Sequence, residues 1–251
     1  MIPRRRLSER ARVVYAPHCV CTSGDAKLSG FAPRGKTCAS AMRRFNLPKL
    51  YAITDARLSG LAHAEQLLRL SEGGATLVQL REKHASPREF HRGAGAALEV
   101  ARARGVTLIV NDRADVALAL GADGVHLGQD DLSPASARRL LGDDFVVGYS
   151  THSLEQIVSA SRLPVDYVAF GPVFPTLTKE SPDPVVGLEL LSRARSALDP
   201  SIPLVAIGGI TRANARAALA AGADSVAVVG ALLSEPAEIA RRTRELLGEL
   251  G

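Results

Sequence analysis

Gln79, Arg81 and Lys83 recur at alternate positions in the segment TLVQLREK, so on a strand their side chains share one face. Two cations side by side repel unless an anion neutralises them, which makes a phosphate or diphosphate their natural occupant. Pairing of an outward face with Glu82 and Glu89 is the alternative, but the outer surface of a barrel strand is covered by apolar helix and ill suited to Arg81. Further on, Asn111 and Asp112 end TLIVND, and Gln129, Asp130 and Asp131 end GVHLGQDD. Either aspartate alone reads equally well as a helix cap, Asp112 for a helix beginning near Arg113. Two carboxylates on neighbouring strand ends point instead to a cation such as Mg²⁺, which keeps several waters and takes oxygen ligands from substrate phosphates.

A second anion site is suggested by glycines. Gly208 and Gly209 follow the run LVAI, and Gly230 follows SVAVV, where backbone N–H groups can approach a phosphate at the ends of the last two strands. Simple turn formation is the plainer reading of those glycines. Thr176, Thr178 and Lys179 offer hydroxyls and a point charge on the long 172–186 connection, expected to act as a lid. Ser150 and His152 are too close in sequence to make a nucleophile pair, and no carboxylate is placed to orient the histidine, so Ser150 is assigned to substrate hydrogen bonding. His126, inside a strand, reads as a satisfied core or mouth residue. A metal pair beside two cations, with no convincing nucleophile, suits a transferase in which diphosphate leaves without a covalent enzyme intermediate.

The elements that must position these groups alternate. Apolar runs are expected as strands at 49–54, 76–81, 107–111, 124–128, 145–149, 167–171, 203–207 and 225–229. Helical periodicity fills 60–72, 87–104, 113–120, 134–141, 153–161, 187–197, 212–221 and 235–249. Ser86 before Pro87 and Glu89, and Ser133 before Pro134, mark helix starts. GGATLVQL, GADGVHLG and GADSVAVVG echo one unit of glycine-ended helix and resumed strand. Eight such units close into an α/β fold, the (β/α)₈ TIM barrel, as one catalytic domain over 46–251. An open doubly wound sheet would follow its first strand with a glycine-rich loop, whereas here Thr54 and Asp55 follow.

The chain has 251 residues and a formal charge of +5, which raises the question of a nucleic-acid partner. Much of the excess sits in Arg4, Arg5, Arg6, Arg10, Arg12, Arg34, Lys36, Arg43 and Arg44, ahead of the periodic region, and no aromatics interleave with basic residues as a stacking platform. Nucleic acid and membrane are therefore excluded as expected partners, no apolar run being long enough to span a bilayer. Residues 1–45 lack apolar periodicity and read as a disordered extension. Their scarcity of acids resembles a transit peptide, a plain tail or an early start being the simpler account. Cys19, Cys21 and Cys38 all fall there, with His18, in no closed four-ligand spacing, and read as reduced thiols of a cytoplasmic protein.

The segments QLREK, VNDRADVALALGADGVHLGQDDL, GYSTHSLEQ, GPVFPTLTK and VAIGGI, in this order between Leu50 and about Leu247, resemble the thiamine phosphate synthase family. The resemblance implies condensation of hydroxymethylpyrimidine diphosphate with a thiazole phosphate, with Mg²⁺ as cofactor and small molecules as partners, a homo-oligomer being compatible. It implies metal ligands at Asp112 and Asp131. Pyrimidine diphosphate contacts fall on Gln79, Arg81, Lys83, Asn111, Ser150 and Lys179, with Glu82 counted among the substrate-binding residues. Of these Arg81, Lys83, Ser150 and Lys179 carry the catalytic assignment. Thiazole phosphate contacts fall on Thr176, Thr178, Gly209, Val229 and Gly230. Where the family commonly has serine after Val229, this chain has Gly230, one hydroxyl fewer at the thiazole phosphate. The related thiazole tautomerase shares the barrel but needs neither the metal nor the diphosphate site.

Overall fold

A computed structural model describes residues 45–176 and 183–251. Eight parallel strands close on themselves in chain order, β1 pairing with both β2 and β8. They are β1 Leu50–Asp55, β2 Leu77–Arg81, β3 Thr107–Asn111, β4 Gly124–Leu127, β5 Val146–Thr151, β6 Tyr167–Phe170, β7 Leu204–Ile207 and β8 Ser225–Val228. The helices are α1 Ala56–Ser59, α2 His63–Glu72, α3 Pro87–Arg104, α4 Ala114–Leu120, α5 Pro134–Leu141, α6 Leu154–Ala160, α7 Gly187–Ala197, α8 Ala215–Ala220, α9 Gly230–Leu233 and α10 Ile239–Leu250. The (β/α)₈ expectation holds. No helix among the described residues is long and apolar enough to cross a membrane.

Strand alternation sorts the core into two layers. Leu50, Ala52, Val78, Leu80, Leu108 and Val110 face the helices, while Tyr51, Ile53, Leu77, Ile109, Tyr167 and Ala227 fill the barrel. Phe45, assigned from sequence to the extension, packs its ring 5.8 Å from that of Tyr167 and joins the inner layer. The rest of the extension and all three cysteines lie outside the described residues.

Helix starts follow the sequence where a cap exists. Ser86 and Glu89 form a reciprocal capping box on α3, and Ser133 accepts from Ser136 N on α5. Where a helix was expected over 60–72, the chain differs: Asp55 caps α1, Gly60 ends it at φ 69°, and α2 starts only at His63. The expected 235–249 helix is split likewise, into a short 3₁₀ turn at Pro236–Glu238 and α10.

Candidate active site

The inner face of β2 carries Leu77, Gln79 and Arg81 in sequence, as the alternation predicted, and Arg81 emerges at the carboxyl rim. Its guanidinium donates to Asp55 Oδ2 at 2.7 Å, while Asp55 Oδ1 accepts from Leu58 N. One carboxylate thus caps α1 and holds Arg81, a partnership sequence reasoning missed because the two residues lie on different strands. Beside Arg81, Lys83 Nζ sits 2.5 Å from Asp112 Oδ2.

Asp112 does not cap α4, which overturns that reading. Arg113 holds the cap position and no side chain bonds to the helix start. Asp112 instead adopts φ 62°, a left-handed conformation that aspartate tolerates better than most residues, and its N–H donates to His126 O. Asp131 Oδ2 accepts from Gly128 N at 2.7 Å. Burial raises the Asp131 carboxyl above the usual range; the Gly128 N–H opposes this, and the adjacent Asp112 carboxylate adds to the rise by charge and hydrogen bonding. Two neighbouring carboxylates, with an ammonium drawn onto one of them, form a donor set suited to a hard dication. The described residues contain no group of three or more His, Cys, Asp or Glu able to hold a metal, so a cation held by this pair would have to take its remaining ligands from water and substrate.

Asn111 is buried on the inner face of β3, and Ser150 on β5 meets His126 Nε2 at 2.9 Å. Burial pushes the His126 imidazole down to about 4, so it is neutral at physiological pH and satisfied by its neighbours, as its place in the strand suggested. Glu82 points off the inner face, with His63 Nε2 at 3.2 Å and the N–H groups of His84 and Ala85 on its other oxygen. Those contacts hold its carboxyl below its usual range against the opposing effect of burial, and they give Glu82 the work of pinning the loop after β2 to α2.

Across the mouth the site is built from backbone. Gly208 and Gly209 have φ 94° and 64°, and a Cβ on Gly209 would lie 2.4 Å from Pro175 O and 2.8 Å from Phe174 C. Both turn formation and close approach therefore require glycine. Val173 N and Phe174 N donate to Ile207 O and Gly208 O, and Val186 N donates to Pro172 O. The root of the long 172–186 connection is thus stitched to the end of β7. Thr176 is half-buried at the rim of that root, while Thr178 and Lys179 lie outside the described residues. Val229 precedes Gly230, the first residue of α9, whose opening N–H groups have no partner within the helix.

A closed β/α barrel whose mouth gathers two cations, three carboxylates and a glycine-lined edge defines a TIM-barrel enzyme suited to anionic ligands. The chain belongs to the thiamine monophosphate synthase family, whose model matches residues 50–232, and it is accordingly a transferase. It is 49% identical over 208 residues to a thiamine-phosphate synthase of Koribacter versatilis, covering 80% of this chain and 96% of that one. A thiamine-phosphate synthase of Chlorobium phaeovibrioides is 48% identical over 189 residues, covering 75% and 88%. A solved thiamine phosphate pyrophosphorylase from Pyrococcus furiosus superposes with a TM-score of 0.73 at 37% identity, covering 80% and 95%.

Proposed function

We propose that this chain, through residues 46–251, joins 4-amino-2-methyl-5-hydroxymethylpyrimidine diphosphate to a thiazole phosphate, or its carboxylate, in the cytoplasm, giving thiamine phosphate and diphosphate, with carbon dioxide released as well when the carboxylate is used. The observation that carries the reading is the convergence of Arg81, Lys83, Asp112 and Asp131 across the ends of β2, β3 and β4. A tautomerase needs no such constellation.

In this reading Asp112 and Asp131 hold Mg²⁺, which when bound supplies charge neutralisation to the leaving diphosphate. Arg81, steadied by Asp55, and Lys83 bind the diphosphate oxygens and stabilise the negative charge that grows as the C–O bond ionises. Gln79, Asn111 and Ser150 orient the pyrimidine over the barrel mouth. Lys179 is assigned to the same diphosphate. The thiazole nitrogen then attacks the stabilised pyrimidine cation, its phosphate anchored by Thr176, Thr178 and the backbone at Gly209, Val229 and Gly230. No side-chain nucleophile is required.

The test is to incubate the full chain with both substrates, with and without Mg²⁺, and to follow thiamine phosphate and diphosphate together. Equimolar products that depend on the metal are expected. Isomerisation of the thiazole without coupling would move the assignment to a tautomerase, and tight binding without turnover would make the barrel a phosphate-ligand sensor.

A further inference from the structure

Four hydrogen bonds run in series through the barrel interior. Gln79 Nε2 donates to Tyr51 Oη at 2.9 Å, and Tyr51 Oη meets Tyr167 Oη at 2.8 Å. Tyr167 Oη meets His126 Nδ1 at 3.0 Å, and His126 Nε2 meets Ser150 Oγ at 2.9 Å. Gln79, Tyr51, Tyr167 and His126 are no more than 5% exposed, so water cannot substitute for a missing link. Burial raises both phenols far above their ordinary range, and each therefore carries its single hydrogen.

One hydrogen per link sets a direction. Tyr51 accepts from the Gln79 amide and has only Tyr167 to receive its own hydrogen; Tyr167 then gives its hydrogen to His126 Nδ1. A neutral ring receiving at Nδ1 carries its proton on Nε2 and donates it to Ser150 Oγ. Run the other way, with Ser150 donating to the ring and the ring to Tyr167, both Gln79 and Tyr167 would donate to Tyr51. The Tyr51 hydrogen would then be buried without an acceptor unless the Gln79 amide turned to present Oε1, so the direction rests on Nε2 facing Tyr51 as it does here.

Packing holds the series in place. The His126 and Tyr167 rings stack at 5.5 Å and 19°, and Tyr51 stands edge-on to Tyr167 at 5.7 Å. Gly148 makes the room: a Cβ there would lie 2.1 Å from Tyr167 Cζ and 2.6 Å from His126 Nδ1.

We propose that Tyr51, Tyr167 and His126 are positioning residues forming a one-way hydrogen-bond relay that fixes Ser150 as a donor toward the mouth, so that it selects a substrate atom able to accept. The identity of that substrate rests on the synthase reading, where the acceptor is a ring nitrogen or phosphate oxygen of the pyrimidine diphosphate. The direction of the relay does not depend on it.

The test is ¹⁵N NMR of the full chain labelled at histidine, with His126 picked out from the six histidines by comparison with His126→Gln. The relay requires the Nε2–H tautomer in the unmodified protein, and a mixture in Tyr167→Phe. Kinetically, Tyr167→Phe should lower kcat/KM for the pyrimidine diphosphate about tenfold while leaving KM for the thiazole phosphate unchanged. Because the relay acts through Ser150, adding Tyr167→Phe to Ser150→Ala should cause no further loss. A predominant Nδ1–H tautomer in the unmodified protein, or losses that simply multiply in the double variant, overturns the proposal. The spectrum needs no turnover, so an Nε2–H ring in a chain that makes no thiamine phosphate refutes the reaction and keeps the relay. An Nδ1–H ring in an active chain does the reverse.

Discussion

The two sides of the mouth meet anions by opposite means. Along β2 to β4 the rim is made of charged side chains, each braced by a partner: Arg81 by Asp55, Lys83 by Asp112, and Asp131 by the backbone N–H of Gly128. At β7 and β8 it is made of glycine and backbone, with Gly208 and Gly209 packed against the root of the 172–186 connection. On the proposed reaction the first side must absorb charge that grows as a bond breaks, which calls for full charges in fixed places. The second need only anchor a phosphate whose charge does not change, and neutral N–H groups suffice.

If that division is right, the charged side should fail on loss of charge and the glycine side on gain of bulk. Asp112→Asn keeps a residue that tolerates φ 62° and removes only the charge. Product formation is expected to fall about a thousandfold in kcat/KM, with no loss of melting temperature. Gly209→Ala should instead cost about 2–4 kcal/mol in urea unfolding, from positive φ together with overlap on Pro175 and Phe174. Its activity defect should fall on KM for the thiazole phosphate. A loss confined to the pyrimidine diphosphate would break the comparison.

Smaller effects sharpen it. Gly230→Ser adds a hydroxyl to the backbone side and should lower KM for the thiazole phosphate about threefold, measured at saturating pyrimidine diphosphate. An unchanged or higher KM would count against a phosphate at that rim. The smallest effect concerns Asp131, whose carboxyl is raised by burial and by Asp112. A raised acid favours the folded state below its ordinary titration range, and that benefit is lost as pH rises through the raised value. Asp131→Asn should therefore melt about 1–2 °C higher than the parent at pH 7 in chelator, and the gain should vanish at about pH 3.

Much of this was legible in the chain because strands bury both faces and end in their functional residues. The alternation of Gln79, Arg81 and Lys83 and the carboxylates of Asp112 and Asp131 needed only the period of a strand. The short helices α1 and α9 were not legible, since four residues are too few to show a helical period. Nor was the pairing of Tyr51 with Tyr167, whose hydroxyls meet only because β1 and β6 bring them together across the barrel. Gly148 carried the one local signal, a glycine inside a strand, which marks a close approach without naming what approaches. The contact of Glu82 with His63 was not legible for the same reason: His63 comes from α2.

The closure of the barrel has a consequence for how the chain must be made. β1 is sealed by β8, and Lys49 Nζ reaches the carbonyl oxygens of Leu250 and Gly251 at 2.8 and 3.0 Å. During synthesis the first strand waits with one edge unpaired until the last has been translated, a long-range pairing that slows folding and leaves a sticky edge exposed meanwhile. The last two residues thus hold Lys49 at the amino end of β1, opposite the mouth, while the seam itself rests on the pairing of Leu50, Tyr51 and Ala52 with Val226, Ala227 and Val228.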